Sequence, residues 1–305
     1  MFTNPLSPPV KRAGHNCRAS SGVAMPLAST GARARLLGLL LGLGLILSLA
    51  GGPALAREGV EVGGNSAFSK LVPAQDIELS AAQQYAQMLG DARQQNALAG
   101  PDNAQLQRLR AIARRIIPFA TDWNPRAKGW RWEVNLMGSK QINAFCMPGG
   151  KIVFYTGILE SLKLTDDEVA MVMGHEIAHA LREHARERMG KSVATGLGAN
   201  LLGQALGLGQ IGQTVTNYGA QLLTLKFGRE DESEADLVGL ELAARAGYDP
   251  RAGITLWRKM SAANKNAPPQ WLSTHPAGST RIADIEAALP QVMPLFARAQ
   301  KPPAR

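Results

Sequence analysis

The run "VAMVMGHEIAHAL", from Val169 to Leu181, constrains this chain more than any other stretch. It follows Thr165 with Glu168 three residues on, the spacing of a capping box that opens a helix ahead of an apolar run. On one continuous helix His175 and His179 stand four apart and share a face, so two imidazoles can reach one cation at about 2.0–2.1 Å, the distance of zinc. Glu176 projects beside them, placed to take a proton from water without being a ligand. The pattern H-E-x-x-H is short and arises by chance, so its setting decides. The apolar residues before it bury this end of the helix, and buried histidines need partners, which a metal supplies. Residues 57–305 hold four histidines, and three of them fall in the ten positions from His175 to His184. The plain alternative is a helix whose histidines are satisfied without metal.

His184 is the obvious third ligand, but it lies nine residues after His175. At 100° per residue that turns it to the opposite side of the helix, so it reads as a surface residue or as one supporting a ligand from behind. Arg182 and Ala185 also stand where a metzincin would have glycine and histidine. A third ligand must come from elsewhere. After Glu187 no Asp or Glu occurs until Glu230, which excludes a thermolysin-like spacing, since Ala199 occupies that position. Of the acids that follow, Glu232 and Asp236 are one turn apart and share a face with Gly239, whose missing side chain permits close helix packing. Glu232 is then the ligand, and Asp236 orients a ligating histidine through its other nitrogen. Glu230 and Asp231 read instead as a solvated helix N-terminus favoured by the dipole.

The first 56 residues stand apart. Arg33 and Arg35 precede the apolar run Leu36 to Ala50, and "ALA" at 54–56 has the small residues of a cleavage site, so residues 25–56 read as a signal peptide cleaved after Ala56. Met25 would give a leader of ordinary length, which makes residues 1–24 an over-extended start. An uncleaved membrane anchor is the alternative, although the run is short and Gly-rich for a span. These 56 residues carry five basic groups and no acid, so the net charge of +9 falls to +4 for the remainder. A mild excess without a basic cluster makes nucleic acid a poor partner. Cys146 is the sole cysteine after the leader, so no intramolecular disulfide forms. It reads as a buried apolar residue.

Residues 57–79 are polar and Gly-containing, a mobile lead-in. Helical periodicity begins at Ser80 and recurs from Asn103, with Leu106, Leu109, Ile112, Ile116 and Ile117 on one stripe. Extended segments follow from Trp130 and from Lys151, with Pro148, Gly149 and Gly150 as the turn between them. The small-residue segment Gly196 to Leu223 is interrupted by Asn200, Gln204, Gln210, Gln213 and Asn217, and reads as buried or partly mobile helix rather than a membrane span. A last helix stops at Gly247 with Pro250 beyond.

In order, "GHEIAHALREH", "EDESEADLVG", "AGYDP" and "STHPAGSTRI" make the chain resemble the HtpX and CAAX-prenyl-protease family of zinc metallopeptidases, in particular its soluble periplasmic branch of BepA-like and LoiP-like proteins. The resemblance runs from about Ser80 to Ala288. It implies an α+β, mostly helical, gluzincin-type zincin domain over residues 80–290, with a small mixed or antiparallel sheet beside the metal helix and a tail at 291–305. It places the family's acidic motif on Glu232, Ala235 and Asp236, in agreement with the helical spacing. It also implies one zinc per chain and peptide-bond hydrolysis, with Glu176 as base. His275 matches a histidine that lies near the metal in this family, where it serves the oxyanion, fills the open coordination position of a latent state, or merely caps a loop. Asn143, Ala144 and Phe145 fall on a substrate-aligning strand, or on an ordinary core strand and turn. Arg281 pairs with the acidic helix or meets substrate. The implied partners are unfolded or misassembled envelope proteins in the periplasm, with peripheral membrane association left open. A non-proteolytic chaperone or assembly factor with a zinc-stabilised fold is the rival class. The membrane spans of the prenyl proteases and the C-terminal helical repeats of the BepA type have no counterpart in this sequence.

Overall fold

The computed structural model describes residues 57–205, 222, 225–263, 270–275 and 280–300. The expected leader, residues 206–221 of the small-residue segment, Pro276 and residues 301–305 lie outside the described residues. The sheet has three strands, β1 Glu133–Met137, β2 Ala144–Met147 and β3 Lys151–Tyr155, in the order β1-β3-β2. β1 runs parallel to β3, with Val134 opposite Ile152, and β2 runs antiparallel, with Phe145 opposite Val153, so the sheet is mixed. Gly149 and Gly150 make the β2–β3 turn at φ +84° and +77°, where a side chain would be strained.

Helix α1, Ala74–Gln94, covers one face of the sheet through Ala81 and Tyr85 against Met147 and Val153. Ile152 and Phe154 point the other way, into the main core, so β3 is buried on both faces and its apolar run is continuous rather than alternating. Helix α2, Ala104–Ile116, is capped by the Asn103 side chain, which accepts from the Leu106 N–H at 3.0 Å. It buries Leu106, Leu109, Ile112 and Ile116, whereas Ile117 passes into a 3₁₀ turn and is only half-buried.

Helices α3, Thr156–Leu162, and α4, Asp166–Leu181, follow. In α4 every residue from Glu168 to Leu181 is buried, so the metal-motif helix forms the middle of the core. The expected capping box starts it: the Thr165 hydroxyl accepts from the Glu168 N–H at 3.3 Å, and the Glu168 carboxylate accepts from the Thr165 N–H at 2.9 Å. Thr165→Ala is therefore expected to cost about 1 kcal/mol, read as a lower urea midpoint with an unchanged slope.

The remaining helices are α5 His184–Ala205, α6 Arg229–Arg245, α7 Ala252–Ala263, α8 Gln270–Thr274 and α9 Arg281–Ala299. Among the described residues no helix is long and apolar enough to cross a membrane. Two boundaries differ from the sequence reading. Instead of ending in a tail at 291, the chain stays helical through Ala299, because Val292 and Leu295 are buried in the main core. The lead-in is docked rather than mobile. Glu241 of α6 is wholly buried, and it is neutralised by Arg57 at 2.5 Å and Arg245 at 2.7 Å while accepting from the Val60 N–H at 2.8 Å. A buried carboxylate needs such donors, and the lead-in supplies two of them.

Candidate metal centre

Helices α4 and α6 meet where glycine faces glycine. A Cβ on Gly174 would stand 2.6 Å from the Gly239 carbonyl oxygen, and one on Gly239 would stand 2.6 Å from the His175 nitrogen. The contact brings the two backbones close enough for acids on the first turns of α6 to meet histidines on α4. The Nε2 atoms of His175 and His179 are 3.1 Å apart, and the Glu232 carboxylate lies 3.6 Å from the first and 3.5 Å from the second. His275 Nε2 joins them, and the four donor atoms lie within 4.8 Å of one another, all buried. Donors bound tetrahedrally to one zinc at 2.0–2.1 Å would be roughly 3.3–3.4 Å apart. The residues present thus fit a tetrahedral cation.

Their surroundings support the fit. Asp236 Oδ1 accepts from His175 Nδ1–H at 3.0 Å, which leaves the lone pair of Nε2 facing the cluster. Arg281 holds both acids, donating to Asp236 at 2.5 and 2.6 Å and to Glu232 Oε2 at 2.6 Å, so it pairs with the acidic helix. Glu232 Oε1 and His275 Nε2 are buried without a hydrogen-bond partner among the described residues. Each such orphan costs about 1–3 kcal/mol unless something binds it, and both belong to the same cluster.

The electrostatics agree. Burial pushes Glu232 up to about 9 although Arg281 pulls the other way, and it pushes Glu176 up to about 8 against the Trp271 hydrogen bond. Burial lowers His175 to about 4 and holds His179 and His275 well below their usual value, aided by neighbouring His175 and Arg281. The imidazoles are neutral, the form that ligates, and Arg281 alone does not offset the burial of Glu232 and Glu176. A divalent cation is the charge that would balance them. In Asp236 burial works upward but Arg281 and His175 outweigh it, and the carboxyl stays below its ordinary range.

Glu176 lies outside the donor set. Its Oε1 accepts from the Trp271 indole N–H at 2.6 Å, and its Oε2 is 3.7 Å from His275 Nε2. Trp271 sits on α8, stacks on His275 at 4.8 Å and ties its own main-chain N–H to the Ile142 carbonyl at 3.1 Å. Nothing in the sequence marks this tryptophan, because its partner is 95 residues away.

His184 corrects the sequence reading in part. It is buried, 1% exposed, with Nδ1 2.8 Å from His179 Nδ1 and Nε2 3.0 Å from Glu234 Oε2. Counting 100° per residue assumes one unbroken helix, whereas Glu183 adopts φ +59° between α4 and α5 and swings His184 back. Asp231 likewise turns inward, accepting from the Gly228 N–H at 2.7 Å, while Glu230 is exposed.

Beside the cluster lies a cavity of about 210 Å³ that brings Asn143, Ala144 and Phe145 together with Glu176, His179 and His275. β2 forms the edge of the sheet on this side. The Tyr155 N–H bonds to the Asn143 carbonyl, and with this register the main chain of Asn143 and Phe145 is spent on β3, leaving that of Ala144 and Cys146 facing the open edge. Cys146 is half-buried, its thiol pushed well above the usual value by burial and by Glu176.

Peptidase family M48 matches the chain over residues 103–289, a span that holds every donor in the cluster. The chain belongs to peptidase family M48. Similar M48-type relatives include the mitochondrial metalloendopeptidase OMA1 of Arabidopsis thaliana, 40% identical over 154 residues, which are 50% of this chain and 31% of that protein. OMA1 of Schizosaccharomyces pombe is 37% identical over 164 residues, 53% of this chain and 48% of that one. The beta-barrel assembly-enhancing protease of Escherichia coli is 30% identical over 178 residues, 54% and 36% of the two chains. This M48 chain thus spans between about a third and a half of the length of the curated relatives it matches.

Proposed function

We propose that the chain is a zinc-dependent metalloendopeptidase. The convergence of His175, His179 and Glu232 at 3.1 to 3.6 Å, with Glu176 beside them but outside the set, carries this reading. His175, His179 and Glu232 are the ligands, and two imidazoles with one carboxylate favour zinc among the divalent ions. Zinc held there supplies Lewis acidity, polarising the scissile carbonyl and bringing the pKa of water toward about 7. Glu176 is the general base. With Oε1 held by Trp271, its Oε2 takes the proton of the attacking water and passes it to the leaving amine. Asp236 fixes the ring of His175, and the open edge of β2 at Ala144 and Cys146 aligns the peptide as an added strand, flanked by Asn143 and Phe145. Recognition through the main chain suits substrates of many sequences. The substrate class we assign is unfolded or misassembled envelope protein in the periplasm, in keeping with the export-type leader and with the BepA-like branch.

The test is zinc content together with casein cleavage. One zinc per chain and cleavage that a chelator stops and zinc restores are the expected results, and cleavage by a zinc-free chain would overturn the reading. A latent form is the second reading, favoured by His275, whose Nε2 completes the donor set and has no hydrogen-bond partner among the described residues. His275→Ala is expected to raise casein cleavage severalfold at unchanged zinc content. A fall instead assigns His275 to the developing oxyanion.

A further inference from the structure

We infer that His184 and Glu234 are positioning residues of the metal centre, which select the tautomer and fix the ring of His179. The inference rests on the reading of His179 as a ligand. Glu234 is half-buried and ion-paired with Arg182, so its carboxylate oxygens accept hydrogen bonds. It takes two, from Arg182 Nε at 2.6 Å and from His184 Nε2 at 3.0 Å. With Nε2 turned to the Glu234 carboxylate as donor, His184 presents Nδ1 to His179 as the acceptor. At 2.8 Å from that acceptor, His179 Nδ1 must be the donor. His179 Nε2 is then unprotonated, and it is the nitrogen 3.1 Å from His175 Nε2 and 3.5 Å from Glu232. Two lone pairs facing each other at that distance repel unless a cation lies between them.

The ring is held as well as tautomerised. Phe227 stacks on one face of His179, with centroids 4.0 Å apart and planes at 26°, while His184 meets its edge at 74°. Arg182, which braces Glu234, also bonds the Gly63 carbonyl, so the docked lead-in supports the same chain of contacts. Glu183 is the hinge. A non-glycine residue rarely adopts φ +59°, and here that conformation is what lets His184 fold back onto His179. Asp236 does for His175 what Glu234 does for His179 through one intervening imidazole.

The experiment measures the zinc dissociation constant of the full chain by competition with a chromophoric chelator, for wild type, His179→Ala, His184→Leu and His184→Gln. Glutamine keeps an oxygen that can accept from His179 Nδ1–H, and leucine does not. The expected result is a dissociation constant about 10- to 100-fold higher for the leucine variant and within about threefold of wild type for glutamine. Equal losses in both, or no loss in leucine, overturn the inference, as does a metal-stripped leucine variant that melts well below the glutamine one. Should the leucine variant fail to fold, Glu234→Ala replaces it, with weakened zinc binding expected and unchanged binding fatal to the inference. His179→Ala separates the two levels: if it keeps its zinc, the ligand assignment itself fails, whereas loss there with none in His184→Leu removes only the positioning role.

Discussion

Glu176→Gln is expected to lower casein cleavage by about 10²–10⁴-fold, the usual worth of a general base, while zinc stays at one per chain. The substitution keeps shape and leaves Trp271 an amide oxygen in place of the carboxylate oxygen at 2.6 Å, so the local packing is preserved. What it removes is an oxygen able to accept a proton from water. Burial has already raised this carboxyl to about 8, which suits a group that must both take and return a proton near neutral pH. Full activity in the variant would falsify the base assignment. Loss of zinc would instead make Glu176 part of the binding set.

Gly239→Val is expected to destabilise the chain by about 3 kcal/mol or more and to weaken zinc binding with it. Its Cβ would fall 2.6 Å from the His175 nitrogen and 2.7 Å from the Gly174 carbonyl carbon, and backbone atoms cannot swing aside as side-chain ends do. Moving α6 outward relieves the clash but draws Glu232 and Asp236 away from His175 and His179. Gly253→Ala on α7 is the control. There the added carbon meets the Ile285 side chain at 3.5 Å, an ordinary contact, and replacing a helical glycine contributes about 1 kcal/mol of propensity. A urea denaturation series read beside zinc titration checks both. If Gly239→Val is as stable as Gly253→Ala, the close crossing of α4 and α6 is not what positions the acids.

Several features are legible in the sequence because they depend on one element at a time. The i, i+4 spacing of His175 and His179, the Thr165 and Glu168 cap and the Leu106 to Ile116 stripe are consequences of helical periodicity, which acts over a few residues. The single turn from Glu232 to Asp236 is of the same kind, and with no acid between Glu187 and Glu230 the choice of partners is small. Local glycine chemistry likewise sets the turn at Gly149 and Gly150.

The tertiary structure decided whatever depends on how elements are placed against each other. Gly239 stands out in the sequence as a site for close packing, but its partner Gly174 and the resulting helix crossing appear only when α4 and α6 are docked. The angular count misplaces His184 because one left-handed residue, Glu183, just past the end of α4, turns the chain and brings His184 against Glu234 and His179. Trp271 reaches Glu176, and Arg57 reaches Glu241, across 95 and 184 residues. Periodicity carries no information over such distances; the register of one packed surface on another does. The sequence by itself therefore singled out His175, His179, Glu232 and Glu176 as candidate donors and base, and packing determined which groups surround them.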